Sequence, residues 1–126
     1  MRRIALAGSK EGCEAVEQAL KSEGHAVLYI NWAEFNLDVP SQHLDATILV
    51  SGQRTEYSEA LLVKLAEVVG PPIIVLGEND EQSIVRFLML GADAYVPRST
   101  SRDVLFGYLE AIWRRKGQSA SPIERD

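Results

Sequence analysis

The chain has a single cysteine in 126 residues, Cys13, and therefore no internal disulfide. A domain of this length buries roughly two thirds of its unfolded surface and folds without such staples. Cys13 has no His or second Cys near it in sequence and stands among apolar positions at helical spacing, so its expected role is a small core side chain rather than a reactive thiol. Histidine is almost as scarce. His25 follows a glycine and His43 lies in a polar stretch, and neither neighbours a Cys or a second carboxylate at ligand spacing; both are expected in solvent, with no metal site. Long apolar runs are missing too. The opening "MRRIALAGSKEG" gives four apolar residues before Gly8, too few for a signal peptide or a span, so a cytoplasmic location with no membrane partner is expected.

An excess of basic charge is also lacking. With 13 basic and 18 acidic side chains, the formal charge of −5 argues against a surface that holds nucleic acid directly. The run Arg114-Arg115-Lys116 is expected at the end of a helix, where cations complement the carbonyl end of the dipole. Gly/Ser-rich linkers and internal repeats are absent, and the 46% apolar and 25% charged content is that of an ordinary globular domain.

What the sequence does have is a repeated alternation of short apolar runs with amphipathic stretches. "IALA" (Ile4 to Ala7) reads as a buried strand turning at Gly8 and Ser9 into a helix that carries Cys13, Val16, Ala19 and Leu20 inward, closed by Gly24 as a left-handed cap. "AVLYI" (Ala26 to Ile30) is a second strand. Asn31 and Glu34 start a short second helix, ended before Pro40, on which Trp32 and Phe35 are expected to cover the sheet. "ATILV" (Ala46 to Val50) is a third strand; Ala60, Leu61, Val63, Leu65, Ala66 and Val69 mark a third helix, stopped by Gly70 and two prolines. "IIVLG" (Ile73 to Gly77), the most apolar strand, is expected at the sheet centre. A fourth helix with an acidic start carries Ile84, Phe87, Leu88 and Leu90; "AYV" is the fifth strand. The fifth helix begins near Thr100 or Ser101 and turns Leu105, Leu109, Ile112 and Trp113 inward.

Five strand-helix units imply an α/β, flavodoxin-like fold: a five-stranded parallel sheet in the order 2-1-3-4-5 with helices on both faces. Residues 1–118 are expected to form the domain and 119–126 a tail or the start of an output domain. Ligands and chemistry in this fold gather beyond the C-terminal strand ends, which selects Gly8, Ser9, Val50, Ser51, Gly77, Glu78, Pro97 and Arg98.

"SIVRFLMLGADAYVPRS" (Ser83 to Ser99) resembles the fourth helix, fifth strand and following loop of the receiver domains of bacterial two-component response regulators, where a Gly-Ala-Asp turn precedes an aromatic, an apolar residue, Pro and Lys. The likeness follows the five-unit order over about 118 residues and is weaker from Asn31 to Tyr57. Receivers hold Mg²⁺ on an acidic pair after the first strand and form an aspartyl phosphate at the end of the third. A Ser or Thr after the fourth strand and a Lys after the fifth grip the phosphoryl oxygens; hard carboxylates suit Mg²⁺, and cations offset the transferred charge. In this sequence the acidic pair falls on Gly8 and Ser9, the acceptor on Val50 or Ser51, and the hydroxyl position on Gly77. Only the final cation persists, as Arg98, together with Tyr95 at the aromatic position. Asp45 lies at the wrong end of the third strand, and Glu78 alone is a poor Mg²⁺ site.

The resemblance therefore implies a degenerate receiver that takes no phosphoryl group, needs no cofactor and carries no catalytic residues. It is expected to act by contact, as a homodimer through the fourth helix, fifth strand and fifth helix, with Arg86, Tyr95, Arg98, Arg102, Asp103 and Tyr108 as the interface residues. An alternative is a sensor of a small ligand or anion at the vacated pocket; a distant one is a flavodoxin-like enzyme, for which no Ser/His/Asp arrangement is visible. "AGSKEG" lacks both nucleotide-binding fingerprints. In "SASPIERD", Ser121, Pro122 and Glu124 form a capping box, similar to the segment that opens helix-turn-helix output domains of response regulators. That similarity implies a DNA-binding output domain in a longer protein.

Overall fold

Side chains alternate across a strand, so a strand covered by helices on both faces needs apolar residues at every position. The strands of this chain meet that demand. The computed structural model describes residues 2–8, 10–31, 44–52, 55–67 and 71–120. In chain order these form β1 (Arg3–Gly8), α1 (Lys10–Ser22), β2 (Ala26–Asn31), β3 (Ala46–Val50), α2 (Thr55–Glu67), β4 (Ile73–Gly77), α3 (Glu81–Leu90), β5 (Ala94–Pro97) and α4 (Arg102–Ala120). The helices expected third, fourth and fifth from the sequence are thus α2, α3 and α4. The expected second helix with Trp32, Glu34 and Phe35, and also Ser9, His43 and the capping box at Ser121, lie outside the described residues.

The sheet has five parallel strands in the order β2-β1-β3-β4-β5. β3 holds the centre and β4 is displaced one place toward the β5 edge; both are covered on each face, which is why the apolar content of "IIVLG" did not single out the middle. On one face Ile4, Leu6, Ile48, Ile74, Leu76 and Val96 pack with Cys13 and Leu20 of α1 and with Leu105, Leu109, Ile112 and Trp113 of α4. On the other, Ala5, Ala7, Leu49, Val75 and Tyr95 pack with Leu61, Leu62 and Leu65 of α2 and Phe87 of α3.

The expected inward stripes of α1 and α4 are found, whereas that of α2 is rotated. Leu61, Leu62 and Leu65 face the sheet, while Ala60, Val63 and Ala66 are exposed. On α3 only Phe87 is fully buried, and Leu88 is exposed, because one ring fills the space over β5. Gly24 closes α1 with φ 87°, and the His25 amide returns to the Leu20 carbonyl at 3.1 Å. Asp80 caps α3, its carboxylate accepting from the Ser83 amide at 3.2 Å. After α3, the "GAD" turn ties the sheet together: the Asp93 carboxylate accepts from the Ile73 amide at 2.7 Å, and the Asp93 amide donates to the Ile73 carbonyl at 2.8 Å.

His25 is not in solvent as expected. It is half-buried, edge-on to the rings of Phe106 and Trp113, with Nδ1 accepting from the Arg2 amide at 3.3 Å. Asp45 does sit at the N-terminal strand ends, accepting from the Arg3 amide at 2.8 Å, and its carbonyl takes the Trp113 indole N–H at 2.9 Å. Cys13 is 1% exposed; burial, then the nearby Glu17 carboxylate, pushes its thiol up to about 11, as befits an unreactive core side chain. The basic run at Arg114 falls inside α4 rather than at its end, since the helix continues to Ala120.

Because Ile48 is fully buried in the central strand, Ile48→Ala is expected to destabilise the chain by about 2–5 kcal/mol. Val63→Ala, on the exposed side of α2, is expected to stay within about 0.5 kcal/mol. Chemical denaturation of the two variants measures both, and equal losses would contradict the orientation of α2.

Candidate functional site

At the C-terminal strand ends the structure brings together Gly8, Val50, Ser51, Gly77, Glu78 and Arg98, as the strand order requires. Gly8 pairs with Val50 across β1 and β3. Its φ is 134°, and a β-carbon there would collide with the Val50 carbonyl oxygen, so only glycine fits. The Gly8 carbonyl accepts from the Tyr29 hydroxyl at 2.9 Å. A carboxylate at this position is therefore excluded by the backbone path as well as by the residue present. Val50 is 2% exposed with its side chain in the α1/α4 core. Ser51 is buried, its amide donating to the Leu76 carbonyl at 2.7 Å.

Gly77 is closed from the other direction. A β-carbon at Gly77 would strike the Tyr95 hydroxyl and stand 3.0 Å from the ring carbon that bears it. The Tyr95 ring lies over Gly77 and against Phe87, with centroids 5.7 Å apart, and its hydroxyl donates to the Glu78 carbonyl at 2.8 Å. Burial raises the Tyr95 phenol above the ordinary tyrosine value of 10, reinforced by the Glu78 and Asp80 carboxylates and opposed by Arg98. The phenol is thus a neutral donor, seated where a hydroxyl side chain at position 77 would need to be.

Arg98 is held in the same cluster. Its guanidinium pairs with the Glu78 carboxylate, and its amide donates to the Gly77 carbonyl at 2.8 Å. The cation at the edge is therefore already matched by a neighbour. Among the described residues no three His, Cys, Asp or Glu side chains converge as metal ligands.

The remaining sequence-derived residues divide into two settings. Arg86 reaches across to α2, pairing with Glu59 at 2.7 Å, and Arg102 reaches to α1, donating to Glu23 at 3.3 Å and to the Ser22 hydroxyl at 3.2 Å. Asp103 and Tyr108 lie exposed on α4. Both helices also expose apolar side chains: on α3 Val85, Leu88 and Met89 are 50%, 42% and 82% exposed, and on α4 Val104 and Tyr108 are 48% and 43% exposed. The sequence reading selected charges and aromatics on these helices and missed the exposed aliphatic side chains Val85, Leu88, Met89 and Val104; the helical spacing of the first three, and of Val104 with the selected Tyr108, was the available signal. A cleft of about 550 Å³ between α1 and α4 was also missed; it opens beside the edge cluster, and Pro97 and Arg98 line it.

No family model and no curated protein matches the sequence. Solved structures do. A two-component response regulator from Clostridium difficile is 24% identical over 92% of this chain and 98% of its own, with a TM-score of 0.78. The chain has the receiver-domain fold. A CheY-like receiver domain protein from Methanospirillum hungatei superposes with TM-score 0.78 at 17% identity, covering 94% of this chain and 98% of that one. The BeF3-activated N-terminal receiver domain of RstA from Klebsiella pneumoniae gives 0.76 at 18% identity, over 89% and 98%. No described helix is long and apolar enough to cross a membrane.

The contact between Gly77 and Tyr95 is open to a direct check. Below pH about 10 the protonated phenol contributes its full share of stability, which is lost as pH rises through its raised folded-state value. Gly77→Thr is expected to push the ring off the Glu78 carbonyl, cost on the order of 1 kcal/mol and bring the Tyr95 titration down toward the ordinary range. An absorbance titration, read as the difference from the matching Tyr95→Phe background, measures it; an unshifted titration in Gly77→Thr would contradict the packing.

Proposed function

We propose that this chain is a regulatory domain of receiver fold that works without phosphorylation, by protein–protein contact. The observation that carries the reading is the closed strand edge. Phosphoryl transfer needs a nucleophile, a metal site and groups that grip oxygens. Here Gly8 is sealed against Val50 and the space above Gly77 is filled by Tyr95. The domain performs no catalysis of its own in this reading and needs no cofactor.

The contact surface is the face formed by α3, β5 and α4, joined to a second copy of the chain. The exposed Val85, Leu88 and Met89 of α3 and Val104 of α4 support this, since interfaces combine apolar side chains with charged and aromatic ones, and the same helices carry Arg86, Arg102, Asp103 and Tyr108. The dimer controls a DNA-binding output domain in a longer protein, a role that rests on the capping box at Ser121, Pro122 and Glu124. The likeness to response regulators supports a signalling role of this kind.

Two measurements test the proposal together. Intact mass after incubation with acetyl phosphate and Mg²⁺ is expected to be unchanged, and sedimentation is expected to give the same dimer with and without the phosphodonor. Met89→Glu, which places a charge on this face without touching the core, is expected to weaken the dimer at least about tenfold. A stoichiometric phosphoryl adduct, or a monomeric native chain at high concentration, would overturn it.

A further inference from the structure

We propose that the cleft between α1 and α4 binds a small organic carboxylate with an apolar body. The cleft has a volume of about 550 Å³, within the range of roughly 300–1,000 Å³ typical of small-molecule sites. Its floor is apolar, made by Leu76, Val96 and Leu105 at the upper ends of β4, β5 and α4. The α1 wall presents small side chains, Ala19 among them, so that the two helices leave a gap here, whereas Leu109 and Trp113 help to fill the core farther along α4. These side chains belong to the buried core, so a ligand body seated against them lies on an apolar surface and excludes water from the cleft.

The rim supplies the polar half of the recognition. Arg98 and Arg102, two guanidiniums of a chain whose formal charge is −5, both line the cleft. Each is held from outside by an exposed carboxylate, Glu78 at 64% and Glu23 at 48% side-chain exposure. Exposed pairs of this kind contribute little, so exchanging one of them for a ligand carboxylate costs little. A carboxylate brought to the rim by a body that excludes water meets a guanidinium in a less polar setting, where the paired, forked geometry is stronger. An uncharged analogue gains the floor but not the rim. This inference does not rest on the dimer reading: binding is read in the native chain whatever its oligomeric state and without a phosphodonor.

The test uses 1-naphthylacetate and its uncharged amide as probes, titrated into the isotopically labelled native chain and followed by amide NMR. Saturable shifts are expected with the carboxylate, grouped on the α1 and α4 residues of the cleft, and binding at least about tenfold weaker with the amide. Arg102→Gln, at an exposed position, is expected to bring the carboxylate down to the amide's affinity and to leave the amide unchanged. Ala19→Phe, which fills the cleft from its wall, is expected to abolish both while keeping the native spectrum elsewhere. Absence of saturable shifts with the carboxylate, equal affinity for the two probes, or undiminished binding in an Ala19→Phe chain that retains its native spectrum would each overturn the proposal.

Discussion

The ring of Tyr95 and the missing side chain of Gly77 occupy one volume between them, and the order of the C-terminal strand edge depends on that exchange. With no β-carbon at position 77, the phenol swings over β4, packs on Phe87 and donates to the Glu78 carbonyl. The same loop then presents the Glu78 carboxylate to Arg98, whose amide is fixed to Gly77. A short chain of contacts thus fixes an aromatic and a cation that project from β5 with no bound group required. Gly8, seated against Val50 at a φ only glycine tolerates readily, completes the closure from β1.

The cations near this edge share one property. Arg86, Arg98 and Arg102 each pair with a carboxylate on another element: Glu59 of α2, Glu78 after β4 and Glu23 after α1. The pairs are exposed enough that none secures the fold by itself. Arg98 and Arg102 thereby line the cleft between α1 and α4, while Arg86 lies on α3 beside the exposed Val85. In the reading proposed above, these are the two places at which the domain meets other molecules.

Much of this was legible in the sequence. The parallel order of the strands followed from the alternation of apolar runs and helices, and the absence of a carboxylate or hydroxyl at Gly8, Val50 and Gly77 could be read directly from the residues. What periodicity could not supply was rotation. In α2 the apolar residues span more than one face, so Val63 and Ala66 read as inward although Leu61, Leu62 and Leu65 take the sheet. His25 read as solvent-facing because its partners, Phe106 and Trp113, lie some eighty residues later in the chain. The carboxylate partners of the arginines and the α1–α4 cleft are likewise long-range features with no local signature. That Gly77 carries no hydroxyl was readable; that Tyr95 fills the space above it was not.

The central claim is that the position of Tyr95 is set by packing against Gly77 and Glu78 and not by a phosphoryl group. The most direct measurement is the NMR signature of the Tyr95 ring, assigned by comparison with Tyr95→Phe, with and without beryllofluoride and Mg²⁺. Ring and hydroxyl signals that stay unchanged across the two conditions are the expected result. A shift of the Tyr95 ring to a new environment on adding the phosphoryl mimic would contradict the claim.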